Sequence, residues 1–204
     1  MGDQTWGAHY ARRSPVTSRH RQLPSRFVLT DAAREIDPSA QVAHLKPTDA
    51  LIYRHYEWTR DDRLALARVL REACKTNGTP FLVAGDHHLA CEVQADGLHL
   101  PAWMTKRGGN WKERVKPGWL VTASAHSEVE VRHAASAGAD AVLVSPVYAT
   151  GSHPGAQTLG VIRFAKLAAL AAMPVYALGG VTSSSVKRLV SIPNLAGWAT
   201  VSAA

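Results

Sequence analysis

The stretch "AVLVSPVYATGSHPG", residues 141–155, begins as an apolar, β-branched run and then changes character. Its first part is typical of a buried strand, whereas small polar residues, glycines and an imidazole follow from Ser145 onward. Parallel α/β proteins place their functional groups where strands end and loops begin. The stretch therefore predicts a functional loop after a core strand, and the other strands show whether it belongs to a set.

Eight apolar runs of this kind follow residue 25, and each is a candidate strand. They lie at residues 26–31, 50–56, 81–86, 96–100, 119–125, 141–147, 175–180 and 197–203. Helical patterns separate most of them, including residues 60–76, 182–193 and a helix that Ser127 is expected to cap with Glu130 three residues on. This alternation indicates a parallel sheet, and eight units in 204 residues predict a small (β/α)8 TIM barrel, an α/β fold.

Two further expectations concern the limits of this barrel. The alternative, an open doubly wound sheet, would carry a glycine-rich fingerprint after its first strand, and residues 28–37 contain no glycine. Because the sequence stops at Ala204, directly after the eighth strand, we expect the last helix of the barrel to be missing. Residues 1–25 are polar and basic and are expected to be a disordered segment, which leaves residues 26–204 as the single barrel domain.

The composition restricts the class of partner. The net charge of +7 comes partly from an arginine-rich segment, residues 1–25, and elsewhere basic residues are mixed with acidic ones. This distribution favours small anionic ligands over nucleic acid. No apolar run approaches the roughly 18 residues of a membrane span, and no secretory signal is recognisable. Cys74 and Cys91 lack metal-ligand spacing, so reduced thiols in a cytoplasmic protein are expected; a homo-oligomer remains possible.

Polar residues recur at the carboxyl ends of the strands, which meet at one mouth of a TIM barrel. The ends carry Thr30 and Asp31, Arg54 and His55, Asp86 to His88, His99, Ser124 and His126, Ser145 to His153, Gly179 and Gly180, and Ser202. Asp86 has two readings, a functional carboxylate or a helix N-cap. Gly179 and Gly180 follow strand seven, where barrel enzymes bind phosphate through backbone N–H groups. His126 is a candidate for proton exchange near neutral pH.

Two sequence stretches carry a family resemblance. The segment "ASAHSEVEVRHAASAGADAVLVSPVYATGSHPGAQTLG", residues 123–160, and "PVYALGGV", residues 174–181, resemble motifs of the thiamine-phosphate synthase family and its relative, the thiazole tautomerase. The likeness covers residues 26–204 and implies a TIM barrel. It also implies thiamine biosynthesis: the synthase couples a pyrimidine diphosphate to a thiazole phosphate with Mg²⁺, and the tautomerase aromatises a thiazole carboxylate phosphate through a histidine.

The resemblance assigns roles to individual residues. His126 and Ser124 are expected to be catalytic, with Ser124 contacting pyrophosphate, and Asp86 is the one retained metal carboxylate. The expected substrate-binding residues are the strand-end Arg54 and, from the resemblance, Thr150, Ser152, His153, Gly179, Gly180, Val201 and Ser202. Five departures stand against it. Ile52 and Tyr56 replace the family's glutamine and lysine at the end of strand two, and Gly85 replaces the asparagine before Asp86. Met104 replaces its second metal carboxylate, and His153 replaces its loop lysine.

These departures leave the activity open between alternatives. The family's commonest reaction predicts a transferase, a thiamine-phosphate synthase. A tautomerase-like proton transfer at His126 fits the residues about equally well, and a non-catalytic binder of phosphorylated ligands is the third alternative. Mg²⁺ commonly uses one or two carboxylates together with substrate phosphates, so Asp86 alone predicts a weak metal site. In each case the expected partners are small phosphorylated heterocycles.

Overall fold

The computed structural model describes residues 22–32, 37–150, 155 and 157–201. Eight parallel strands close into a barrel in sequence order, with β1 paired to β8. The strands are β1 (Arg26–Leu29), β2 (Asp49–Tyr53), β3 (Phe81–Ala84), β4 (Gly97–Leu100), β5 (Leu120–Ala125), β6 (Ala141–Val144), β7 (Val175–Ala177) and β8 (Leu195–Thr200). The predicted (β/α)8 barrel is confirmed.

Six α-helices and two 3₁₀ helices cover the outside of the barrel within the described residues. The α-helices are α1 (Pro38–Ala43), α2 (Arg60–Thr76), α3 (His87–Glu92), α4 (Ala102–Lys106), α5 (Glu128–Ser136) and α6 (Gly160–Leu170). The 3₁₀ helices lie at Trp111–Glu113 and Val186–Leu189. The predicted helix over 182–193 is thus reduced to one short 3₁₀ segment, and no helix follows β8 as far as Val201, where the described residues end.

The core consists of two layers that the strands separate. The side chains inside the barrel, such as Phe27, Leu82 and Tyr176, form one buried cluster. The strand side chains on the other face pack with the helices in a larger cluster that includes Leu70 and Phe164. Because the pleat alternates sides, each strand serves both layers. The same alternation places selected polar side chains inside the barrel near its mouth.

Polar side chains cap several of the helices that follow the strands. Thr59 caps α2, and the Ser127 hydroxyl accepts from the N–H of Glu130 at 3.3 Å, so the predicted cap of α5 is confirmed.

Pro24 and Ser25 lie against the barrel: the Tyr176 hydroxyl donates to the Pro24 carbonyl oxygen at 2.5 Å. Residues 1–21 lie outside the described residues, so the division at residue 25 stays a prediction. None of the described helices has the length and apolar character needed to cross a membrane.

Candidate functional site

A buried hydrogen-bond chain links β4 and β5 near the mouth. His99 Nδ1 lies 2.8 Å from Thr122 Oγ1, and His99 Nε2 lies 2.8 Å from Ser124 Oγ. The contacts arise because residues 122 and 124 both point into the barrel and β5 runs beside β4. Burial, followed by the positive charge of Arg54, lowers the pKa of His99 to about 3, so this imidazole is neutral at physiological pH.

His126 follows β5 directly, and its side chain is exposed at the mouth. Its Nδ1 lies 2.8 Å from the carbonyl oxygen of Ser145, at the end of β6. A carbonyl oxygen can only accept a hydrogen bond, so Nδ1 must carry the proton. In the neutral imidazole Nε2 is then an unprotonated acceptor, and it has no hydrogen-bond partner among the described residues. This arrangement can take a proton from a ligand.

Glu130 holds the backbone of His126 in place. One of its carboxylate oxygens accepts from the His126 N–H at 2.7 Å, and the other lies 2.9 Å from the Lys106 ammonium. Burial raises the pKa of Glu130, but the hydrogen bonds from Lys106 and from the His126 backbone outweigh it and keep the pKa below its ordinary value. The sequence pattern predicts a bond from Glu130 back to the Ser127 N–H, whereas the structure directs it to the residue that carries the imidazole.

The turn after β7 presents unpaired backbone donors. Gly179 and Gly180 have φ angles of +88° and +63°, which favour glycine. A Cβ on Gly179 would lie 2.7 Å from Pro146 Cα, and one on Gly180 would lie 2.3 Å from the Ala149 carbonyl oxygen. The turn therefore packs directly against the loop after β6. No acceptor within the described part of the chain pairs with the N–H groups of Gly179, Gly180 or Val181.

The remaining predicted contacts of this side are only partly described. Thr150 lies half-buried at the end of the loop after β6, and Val201 follows β8, with its carbonyl oxygen accepting from the Gln41 amide at 2.9 Å. Ser152, His153 and Ser202 lie outside the described residues. Their expected roles in binding substrate stay predictions.

Arg54 lies at the end of β2 and is tied to the end of β1. Its Nε donates to the Thr30 carbonyl oxygen at 3.2 Å, and its guanidinium lies 3.8 Å from the Asp31 carboxylate. The buried Thr30 hydroxyl lies 3.0 Å from His55 Nδ1, and burial lowers the pKa of His55 below its ordinary value. Arg54 is thus a braced cation at the mouth, on the opposite side from the glycine turn.

Asp86 is engaged through both carboxylate oxygens. Oδ1 accepts from the Leu89 N–H at 2.9 Å and so caps α3, while Oδ2 lies 3.1 Å from the Arg63 guanidinium. The prediction that Asp86 caps a helix is therefore confirmed. The cap does not test the second prediction, that Asp86 binds a metal ion. Met104, in place of the second carboxylate, is buried, and no group of three His, Cys, Asp or Glu residues fit to hold a metal occurs in the described ranges. The donors do not fit a resident Mg²⁺.

Aromatic rings occupy the same side of the mouth. A Cβ built on Gly85 would lie 2.9 Å from a ring carbon of Tyr56 and 3.6 Å from a ring carbon of Trp103. The family's asparagine and lysine stand here as Gly85 and Tyr56, and the missing side chain of Gly85 makes room for the tyrosine ring. Tyr56, Trp58 and Trp103 are all exposed. This half of the mouth is aromatic where the family pattern is polar.

Sequence reasoning missed Thr122, Glu130 and Lys106 as parts of the site. Thr122 carried a signal, because polar residues at positions 122 and 124 alternate with alanines on β5 and must share one face. Lys106 carried none, since its contact with Glu130 depends on the packing of α4 beside α5.

Comparison with known proteins agrees with this geometry. The family model described as thiamine monophosphate synthase matches residues 28–204. The chain is 35% identical over 169 residues to a protein of Aquifex aeolicus named putative thiamine-phosphate synthase 2, covering 81% of this chain and 90% of the relative. It is 32% identical over 170 residues to the thiamine-phosphate synthase of Methanoculleus marisnigri, covering 81% and 80%.

A solved structure supports the fold. The thiamine phosphate pyrophosphorylase from Pyrococcus furiosus superposes with a TM-score of 0.69 at 22% identity, covering 86% of this chain and 84% of that one. At this identity the likeness concerns the barrel alone. The family model and the relatives together decide the assignment: the chain belongs to the thiamine monophosphate synthase family.

Proposed function

We propose that this protein catalyses proton transfer on a phosphorylated thiazole, as a thiazole tautomerase that aromatises a thiazole carboxylate phosphate. The observation that carries the proposal is the state of His126. The Ser145 carbonyl oxygen requires the proton on Nδ1 and leaves Nε2 as an open acceptor at the barrel mouth. Such a group can remove a proton from one ring position of the ligand and return it to another.

The glycine turn supports a phosphorylated ligand. The N–H groups of Gly179 and Gly180 have no acceptor within the described part of the chain, and backbone donors at this turn suit phosphate oxygens. The ligand's phosphate is expected to bind there, beside Thr150 and Val201. A ligand anchored in this way would extend across the mouth toward His126.

The proton balance of the reaction needs no further reactant. His126 Nε2 takes a proton from a ring carbon of the non-aromatic thiazole tautomer and becomes an imidazolium. It then returns one proton to a different atom of the ligand, which gives the aromatic product. Glu130 holds the backbone of His126 through its 2.7 Å bond to the His126 N–H, and the Ser145 carbonyl oxygen orients the imidazole ring.

The direct test is to incubate the purified protein with the non-aromatic thiazole carboxylate phosphate and to follow aromatisation by ultraviolet absorbance and NMR. The expected result is conversion that is independent of Mg²⁺ and exchange of a ring proton with deuterated solvent. Absence of conversion, with the ligand bound, would contradict the proposal. If the synthase reaction described next were absent as well, the chain would be a non-catalytic binder of phosphorylated heterocycles.

Thiamine-phosphate synthase activity is the second candidate, because the relatives at 35% and 32% identity carry that name. The Ser124 hydroxyl and the Arg54 guanidinium would then contact the diphosphate of the pyrimidine substrate. The test is formation of thiamine phosphate from pyrimidine diphosphate and thiazole phosphate, with and without Mg²⁺. Metal-stimulated product formation would make this reaction the function and would assign Asp86 to the metal despite its contact with Arg63.

A further inference from the structure

The Thr122–His99–Ser124 chain of hydrogen bonds is buried at its Thr122 end and reaches the mouth at Ser124. His99 and Thr122 are buried, whereas Ser124 is partly exposed. Among the described residues, neither the Thr122 nor the Ser124 hydroxyl contacts any other polar side chain or carbonyl. A serine hydroxyl beside a neutral histidine ring can either donate a hydrogen bond to the ring or accept one from it. The two arrangements of protons give the serine different chemistry.

In the first arrangement the Thr122 hydroxyl donates to Nδ1, Nε2–H donates to Ser124 Oγ, and every buried donor has an acceptor. In the second, Nδ1–H donates to Thr122 Oγ1 and the Ser124 hydroxyl donates to Nε2, as in a serine nucleophile. The second leaves the buried Thr122 hydroxyl hydrogen without an acceptor, which is costly in the interior. Since burial keeps His99 neutral, a doubly protonated ring is not a third choice.

We propose that His99 is a positioning residue: its Nε2–H group holds the Ser124 oxygen, so that the Ser124 hydroxyl hydrogen is presented to an oxyanion of the ligand. Ser124 is accordingly a hydrogen-bond donor and not a nucleophile. Thr122 sets the direction of the whole chain from its buried end.

The ligand group in question is an oxyanion other than the phosphate at the glycine turn. Besides burial, the charge of Arg54, whose guanidinium lies 3.8 Å from the Asp31 carboxylate, lowers the pKa of His99, and this positive charge favours an anionic ligand group on this side of the mouth. A carboxylate oxygen or a second phosphoryl oxygen meets both requirements. For the identity of the ligand this inference rests on the proposed function: a thiazole carboxylate phosphate would offer its carboxylate, and a pyrimidine diphosphate would offer a phosphoryl oxygen.

The first test measures the tautomer of the ligand-free protein. Nitrogen-15 NMR of histidine-labelled protein at pH 7, with His99 assigned by comparison with His99→Gln, is expected to show a proton on Nε2 and none on Nδ1. A proton on Nδ1, or on both nitrogens, would overturn the inference. Because no ligand or reaction is involved, the result does not depend on whether the protein is a tautomerase.

The second test compares two replacements by titration with thiazole carboxylate phosphate and, separately, pyrimidine diphosphate. Glutamine offers an NH2 donor group and a carbonyl acceptor on a single planar amide, so His99→Gln is expected to keep the affinity within about threefold. His99→Leu, which offers neither, is expected to weaken binding about tenfold, or about 1.4 kcal/mol. Equal loss in both variants would overturn the inference, and if His99→Leu fails to fold, the glutamine variant and the tautomer still decide it.

Ser124→Ala identifies the oxyanion. Weaker binding of the thiazole carboxylate phosphate, with unchanged binding of a thiazole phosphate that lacks the carboxylate, assigns the carboxylate to Ser124. Weaker binding of the pyrimidine diphosphate assigns a phosphoryl oxygen. Unchanged affinity for all three ligands would show that Ser124 donates to none of them and would overturn the inference.

Discussion

On the β5–β8 side of the barrel mouth, the chain has an imidazole, a serine and a glycine turn whose backbone donors have no acceptor among the described residues. On the β2–β4 side, Asp86 is bound to Arg63, and Tyr56 and Trp103 crowd the position of Gly85. The first side suits a phosphorylated ring and proton exchange. The second carries the Arg54 cation, but its Asp86 carboxylate is already engaged by Arg63 and by the first turn of α3. Within one barrel scaffold, the two halves of the mouth therefore differ in which polar groups are already engaged by other residues of the chain.

The largest expected effect tests the imidazole of the β5–β8 side. His126→Asn should reduce aromatisation of thiazole carboxylate phosphate by about 10² to 10⁴, the usual contribution of general acid–base catalysis. Affinity for the ligand should change little, because the phosphate contacts remain. The measurements are kcat from ultraviolet absorbance and Kd from calorimetry. His88→Asn, an exposed histidine on α3, is the control and should retain full activity; full activity of His126→Asn would refute the tautomerase proposal.

Acid stability comes next and tests His99. The unfolded chain binds a proton at His99 below about pH 6.5, whereas the folded protein does so only near pH 3. Between these values the unfolded state holds more protons, so the free energy of unfolding falls as the pH falls, by up to about 1.4 kcal/mol per pH unit. Urea unfolding from pH 7.5 to 4.5 measures this. His99→Gln should have a flatter profile, and parallel profiles would show that His99 is not buried as described.

The glycine turn provides the third test. Gly179→Ala would place a Cβ 2.7 Å from Pro146 Cα and displace the turn, so thiazole-phosphate binding should weaken at least tenfold, about 1.4 kcal/mol. Gly118→Ala is a matched control, because Gly118 has a similar φ of +86° but nothing within 4 Å of the new Cβ. Both variants should lose about 1–2 kcal/mol of stability from the left-handed backbone. Equal affinities in calorimetry would move the phosphate elsewhere.

The smallest effect is expected on the β2–β4 side. Adding Mg²⁺ should change the affinity for thiazole phosphate less than about twofold, because the Asp86 carboxylate already pairs with Arg63 and caps α3. Asp86→Asn should leave that affinity unchanged, since asparagine also caps a helix. Calorimetry with and without metal tests both statements. A strong Mg²⁺ response that Asp86→Asn removes would reverse the contrast between the two halves.

The strands and most of the helices could be predicted from the sequence, whereas the hydrogen-bond partners of individual side chains could not. The eight strands and most helices were recognisable because apolar periodicity is a local property, as in the run that became β6. The prediction of a helix over residues 182–193 was wrong, because three serines and a short apolar pattern support only the 3₁₀ helix Val186–Leu189. Gly179 and Gly180 were found from their place after β7. The partners of His99 and Glu130 were not, because they lie on other elements.

The sequence by itself determined the closed α/β barrel, the end of the barrel at which polar groups gather and the family, since all three follow from patterns along the chain. Only the tertiary structure decided which ring nitrogen of a histidine carries the proton and which partner each charged group has. The proton on Nδ1 of His126 follows from the carbonyl oxygen of Ser145, directly after β6, and the Asp86 carboxylate is paired with Arg63 on α2. Hydrogen bonds and charge pairs act over a few ångströms in space, so residues distant in sequence set the chemistry of each group.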